Sequence, residues 1–257
     1  MSRFVNLEFG NESEDRSQNE NELKDESFYF ADAMRAFEDG QFEQALRSFA
    51  KVLEFNSQNA KAWSGQVRML IELGELHEAK VWADKALESF PRDAELLAAK
   101  AVALGRAGDL KAALAFSDAA IEEHGDTPYI WLARADVLMA RKEKRADYCF
   151  EKAHLLAPHD WFIHWLAARI RFYYGKFALA LKLVQQALAC DSTRAVIWLQ
   201  LGKCQQALGM IAPAEMSFQQ ALELDSQCRE AERALAELQH VGWFGSLRAK
   251  LNGLFSR

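Results

Sequence analysis

Ala45, Ala79, Ala113, Ala146, Ala180 and Ala214 recur at intervals of 34, 34, 33, 34 and 34 residues. A second small-residue series keeps step with them: Val52, Ala86, Ala120, Ala153, Ala187 and Ala221. Small side chains at fixed phase are what a stack of helical hairpins needs where two backbones approach closely, so the period predicts an array of helix-turn-helix units. Gly40, Gly74, Gly108, Gly175 and Gly209 stand five residues before the first-series alanine in five of the six units. There a helix would end and reverse through a left-handed residue. Pro91 and Pro158 fall between units, where a fixed φ and a missing N–H help to stop a helix.

Trp63, Trp131 and Trp198 mark the first helix of their units, and the last unit reads Trp198-x-x-Leu201-Gly202, then Gly209, Ala214, Phe218 and Ala221. This resembles the tetratricopeptide repeat (TPR) family, whose 34-residue signature runs W-x2-L-G-x2-Y, A-x3-F, A and P. The resemblance covers residues 26–228. Several units depart from the signature: Gln205 replaces the aromatic in the last, Val67 the small residue in the second, Leu97 the Trp in the third. In the fifth, His164 takes the Trp position with Trp165 beside it. The fold class implied is all-α, a right-handed α-α superhelix of six units at 26–59, 60–93, 94–127, 128–160, 161–194 and 195–228.

The ends differ in charge. Residues 1–25 form an acidic leader, expected to be largely disordered, and the first 26 residues hold Glu8, Glu12, Glu14, Asp15, Glu20, Glu22, Asp25 and Glu26 against Arg3, Arg16 and Lys24. Residues 229–240 continue a helical pattern through Ala231, Ala234, Leu235 and Leu238 and read as a capping helix. Residues 241–257 then have bases and no acid. On a helix Trp243, Phe244, Leu247, Leu251, Leu254 and Phe255 would share an arc of about 120° with Arg248 and Lys250 at its flanks. Such a stripe can fold back on the last repeat, lie on an anionic membrane, or insert into a partner.

The resemblance also implies where a ligand would sit, because in this family the first helices line a concave groove. Its phase selects Phe30, Met34 and Phe37, then Lys61, Ser64, Arg68, Ile71 and Glu72, then Glu95, Ala98, Val102, Gly105 and Arg106. In the second half it selects Tyr129, Leu132, Asp136, Met139, Phe162, Trp165, Arg169, Phe172, Tyr173, Val196, Leu199, Lys203 and Gln206. Aromatic and Met side chains interleaved with Arg and Lys have the composition of a binding hot spot, which places the main site on the fourth and fifth units, extending to Leu199 and Lys203. Ser64 with Arg68 does not reproduce the Lys and Asn pairing of TPR domains that clamp chaperone tails. The fourth unit is one residue short, with Lys142 at the turn-glycine position, and Arg141-Lys142-Glu143-Lys144-Arg145 could dock an acidic surface or the leader.

Composition bounds the function. No apolar run approaches the roughly 18 residues of a membrane-spanning helix, the start carries no signal-peptide pattern, and the expectation is a cytoplasmic chain, membrane-associated if the tail binds lipid. A formal charge of −6 counts against nucleic acid as the partner. Cys149, Cys190, Cys204 and Cys228 lack metal spacing and read as packing residues. Cys149, His154, His159 and His164 recur every five residues but cross a turn, so they are not expected to converge on a metal. No nucleotide, protease or hydrolase motif is present, so no cofactor, small-molecule substrate or enzymatic activity is expected. The reading is a non-enzymatic scaffold or adaptor that binds a partner peptide or helix in the groove. The alternative is a peripheral tether joining a partner, such as a cytoskeletal or secretion assembly, to an anionic membrane through the tail.

Overall fold

A computed structural model describes residues 25–123 and 125–238. Among the described residues the chain is all-α, with no strand. Six first helices, α1 (Glu26–Glu38), α3 (Ala60–Glu72), α5 (Ala94–Arg106), α7 (Pro128–Ala140), α9 (Trp161–Tyr173) and α11 (Ala195–Ala207), alternate with six second helices. These are α2 (Phe42–Phe55), α4 (Leu76–Ser89), α6 (Leu110–Glu122), α8 (Ala146–Leu156), α10 (Phe177–Cys190) and α12 (Ile211–Leu224). A last helix, α13, covers 229–238.

The chain divides between Gly125 and Asp126 into two compact units of three hairpins each. In the first, each helix packs on the next from α1 to α6, and α3 also meets α5. In the second, the same neighbour packing runs from α7 to α12, and α9 also meets both α7 and α11. Every residue of both small-residue series is buried. Side chains of this size let paired helices approach to the short end of the usual 8–10 Å spacing.

The turns share one geometry. Gly40, Gly74, Gly108, Gly175 and Gly209 all take positive φ, and the N–H of the next residue reaches the carbonyl five residues back, from Gln41 to Ala36 through Met210 to Gln205. Lys142 does the same work in the fourth unit at φ 58, with Glu143 N–H donating to the Leu138 carbonyl at 2.9 Å. A left-handed conformation costs a residue with a Cβ roughly 1–2 kcal/mol, partly offset for glycine by its greater unfolded freedom. Lys142→Gly is therefore expected to stabilise the second unit by about 1 kcal/mol. A urea titration that shows a lower midpoint for Lys142→Gly would contradict this account.

The first helices are also capped periodically. Asp25, Asn59, Asp93, Thr127 and Asp160 each precede a first helix and accept from a backbone N–H of its first turn, at Phe28, Ala62, Leu96, Ile130 and Phe162. Each such cap contributes about 1 kcal/mol. Arg194, before α11, makes no cap and instead lies 4.9 Å over the Trp161 ring and pairs with Asp191.

Two tryptophans of the repeat use the same carbonyl, whereas Trp131 Nε1 donates to the Asp126 carboxylate at 2.7 Å. Trp63 Nε1 donates to Ser57 O at 2.9 Å and Trp198 Nε1 to Ser192 O at 2.8 Å, both six residues upstream. His164 repeats the bond: its Nε2 lies 3.1 Å from Pro158 O, again six residues upstream. Because a carbonyl only accepts, Nε2 carries the proton, and the imidazole stands in for the missing indole. Trp165 is thus not the replacement.

Leu238 and Ala231 of α13 join Leu199, Ala214, Phe218 and Ala221 in one core cluster, with Leu222, Ala234 and Leu235 against it. The opposite side of α13 exposes Glu232, Arg233, Ala236 and Glu237, a polar surface that ends the stack. The acidic leader, apart from Asp25, and the whole stripe of Trp243, Phe244, Leu247, Arg248, Lys250, Leu251, Leu254 and Phe255 lie outside the described residues. No described helix is long and apolar enough to cross a membrane.

Candidate partner-binding face

The residues selected by phase on α7, α9 and α11 separate by depth. Leu132, Trp165 and Leu199 occupy the same repeat position and are all buried, as are Ser64 and Ala98 at that position in the first unit of the fold. Trp165 is only 1% exposed. This position forms a floor. Tyr129, Met139, Phe162, Arg169, Phe172 and Lys203 are half-buried around it, and Tyr173 is exposed at 54%.

An aromatic stack gives the face its shape. Phe162 stacks on Trp165 with ring centroids 5.5 Å apart and planes 26° from parallel, and Trp161 closes on both rings at 5.4 and 6.4 Å. The Arg169 guanidinium carbon stands 5.0 Å over the Trp165 ring, on the face the indole would otherwise present to water. A guanidinium held this way is preorganised. Lys203 lies close enough for Arg169 to act on its charge. Burial first, and this neighbouring cation further, pull its ammonium below the usual lysine range, while Glu230, paired at 2.5 Å, pushes it back up.

Below the face a buried carboxylate is held in place. Asp136 is buried, and the Tyr174 hydroxyl donates to its Oδ1 at 2.7 Å. Arg171, also buried, lies with its guanidinium 3.9 Å over Phe150 and donates to Asp147 at 2.5 Å and toward Met139 Sδ at 3.7 Å. Removing the Tyr174 hydroxyl would leave a buried carboxyl oxygen with one fewer donor, so this bond ties α7 to the end of α9. Phase reasoning passed over Trp161, Tyr174, Arg194 and Glu230. The first of these carried a signal, being an aromatic at the first position of its helix directly before a position already selected.

One other group behaves differently from its sequence reading. Glu143 accepts from both Arg141 and Arg145, at 2.5 Å each, so two of the four bases in the shortened turn are paired with the acid between them. Those bonds, Arg141 first, hold Glu143 below the usual carboxylate range. Lys142 and Lys144 remain exposed. Of Cys149, His154, His159 and His164, two come together across the turn, the His154 and His164 ring centroids lying 5.0 Å apart. Among the described residues no group of three or more His, Cys, Asp or Glu side chains is placed to hold a metal ion. Burial pushes the thiols of Cys149 and Cys228 up, and that of Cys204 up to about 11.

Comparison with known proteins agrees with the hairpin geometry. Tetratricopeptide-repeat family models match residues 36–103 and 195–228. Tetratricopeptide repeat protein 17 of Homo sapiens is 37% identical over 89 residues, 34% of this chain and 8% of that protein, and the rat protein is 36% identical over 89 residues. The matched segment therefore spans less than a tenth of those relatives. A tetratricopeptide repeat protein of Parabacteroides merdae superposes with a TM-score of 0.55 at 18% identity, over 85% of this chain and 86% of its own. A thermophilic TPR protein of Thermus thermophilus gives 0.50 at 18% identity, over 83% and 98%. The human IFIT1 dimer solved with m7Gppp-AAAA gives 0.52 at 20% identity, over 84% and 55%. With the 34-residue period, the left-handed turn residue in each of six hairpins and these matches in agreement, the chain carries tetratricopeptide repeats.

Proposed function

We propose that this protein is a non-enzymatic interaction scaffold that takes a partner polypeptide segment on the α7, α9 and α11 face. The observation that carries the reading is the Phe162–Trp165–Arg169 stack, with Lys203 beside it and Tyr173 exposed at its rim. Half-buried aromatic, Met and Arg side chains over a rigid floor supply contact area at little entropic loss, which is what anchors in protein interfaces do. The fold is shared with a protein solved with m7Gppp-AAAA, so the fold alone does not choose between ligand classes. Charge favours polypeptide here. The chain is net negative at −6, whereas a phosphate backbone selects a basic surface.

Site-specific photo-crosslinking tests the reading. A crosslinker placed at Tyr173 is expected to trap a discrete partner that one placed at the exposed Glu151 of α8 does not. Arg169→Glu should weaken that adduct at least tenfold while helicity and the urea midpoint stay near wild type. Equal trapping at both positions, or an adduct indifferent to Arg169→Glu, would move the interface off this face.

A further inference from the structure

The first residue of five second helices is apolar: Phe42, Leu76, Leu110, Phe177 and Ile211. Phe42, Leu76 and Phe177 are each followed within their own compact unit by a further thirteen-residue first helix, and all three are half-buried. Ile211 is followed by α13, described over 229–238, and it is 41% exposed. Its own hairpin covers it less. Phe37 and Phe172 meet Phe42 and Phe177 at 6.2 and 5.1 Å, whereas the matching position in the last hairpin is Gln206. Leu208 and Met210, in the turn that leads into α12, are exposed at 39% and 40%. Three apolar side chains within four residues are therefore left open at one end of α12.

The chain direction brings the end of α13 to this spot. The α11 helix runs toward the Gly209 turn, α12 runs away from it, and α13 runs back toward it. Leu238 is buried in the same cluster as Ala214, which lies one helical turn from Ile211, about 5 Å along the axis. Leu238 thus lies at the end of α13 nearest the open patch, and only four residues separate it from Trp243, a reach of at most about 17 Å. On a helix the six apolar side chains from Trp243 to Phe255 would form one stripe about 20 Å long. Glu215, one turn along α12 from Ile211, borders the patch with charge opposite to Arg248 and Lys250.

We infer that residues 243–255 fold back in cis as an amphipathic helix on Leu208, Met210 and Ile211. So short a tether holds the stripe at a millimolar effective concentration over the patch, an advantage that lipid or a second molecule lacks.

Hydrogen exchange read by mass spectrometry on the full chain tests this directly. The amides of 243–255 are expected to exchange at least tenfold more slowly than in a synthetic peptide of the same sequence. Met210→Glu combined with Ile211→Glu should abolish that protection and leave α9 and α11 unchanged. Leu247→Ser with Leu251→Ser, which leaves the patch intact, should abolish it too. Several outcomes would overturn the inference: peptide-like exchange in the wild type, protection that survives the patch variant, protection that vanishes on dilution, or protection that arises only with phosphatidylserine-containing vesicles. The last two would assign the stripe to a second copy or to a membrane. None of these readouts depends on a ligand at the α7, α9 and α11 face.

Discussion

Trp165→Ala is expected to destabilise the second compact unit by about 3–5 kcal/mol, among the largest effects available to a single substitution here. The indole is nearly inaccessible, stacked on Phe162, flanked by Trp161 and roofed by Arg169. Truncating it removes all three contacts and leaves a cavity that the stiff aromatic neighbours fill poorly. A domain's whole stability is commonly about 5–15 kcal/mol, so the variant will populate partly unfolded forms at modest denaturant. Arg169→Glu, by contrast, loses one cation–π contact of about 0.5–1 kcal/mol at a half-exposed site. The two variants are therefore not interchangeable as binding probes: loss of a partner in Trp165→Ala reports on the fold, and loss in Arg169→Glu reports on the surface. Urea unfolding followed by circular dichroism separates them. A wild-type midpoint for Trp165→Ala would mean that the ring is an accessible anchor and not part of the floor.

That distinction marks the limit of what periodicity conveys. The 34-residue phase gives the direction of a side chain around its own helix, and it put Trp165 and Tyr173 on one face. Their depths differ because depth is set by side chains on two other helices, here those of α7 and α11 packed on either side of α9. The turns were legible from glycine alone, and Lys142 from the gap in that series, since the left-handed position has to be filled by something. His164 was legible as a departure and not as a substitute, because its equivalence to Trp63 and Trp198 rests on one hydrogen bond to a carbonyl that any residue provides. The capping series at Asp25, Asn59, Asp93, Thr127 and Asp160 keeps the period of the alanines and was readable from the sequence. Chemically mixed residues hide a series that is uniform in function.

Phe218 and Gly202 provide a test whose sign, and not only its size, follows from the packing. Phe218→Ala should lower stability by about 3–5 kcal/mol, since the ring is buried in the last hairpin's core cluster. A Cβ added at Gly202 would lie 2.5 Å from that ring, inside van der Waals contact, so Gly202→Ala in the wild type should also destabilise, by about 1–3 kcal/mol. Alanine is nonetheless the better helix former by about 1 kcal/mol. In the Phe218→Ala background the obstruction is gone, and the same Gly202→Ala change should become neutral or stabilising. The double-mutant cycle should then show a coupling of about 2 kcal/mol. If Gly202→Ala destabilises equally in both backgrounds, the glycine is required for a reason other than the ring. Phe49, at the same repeat position in the first hairpin, meets Gly65 of the following helix, because its own hairpin carries Ala33 where the last carries Gly202. At Phe49 and Phe218 the missing Cβ opposite the ring thus comes from one or the other neighbouring helix.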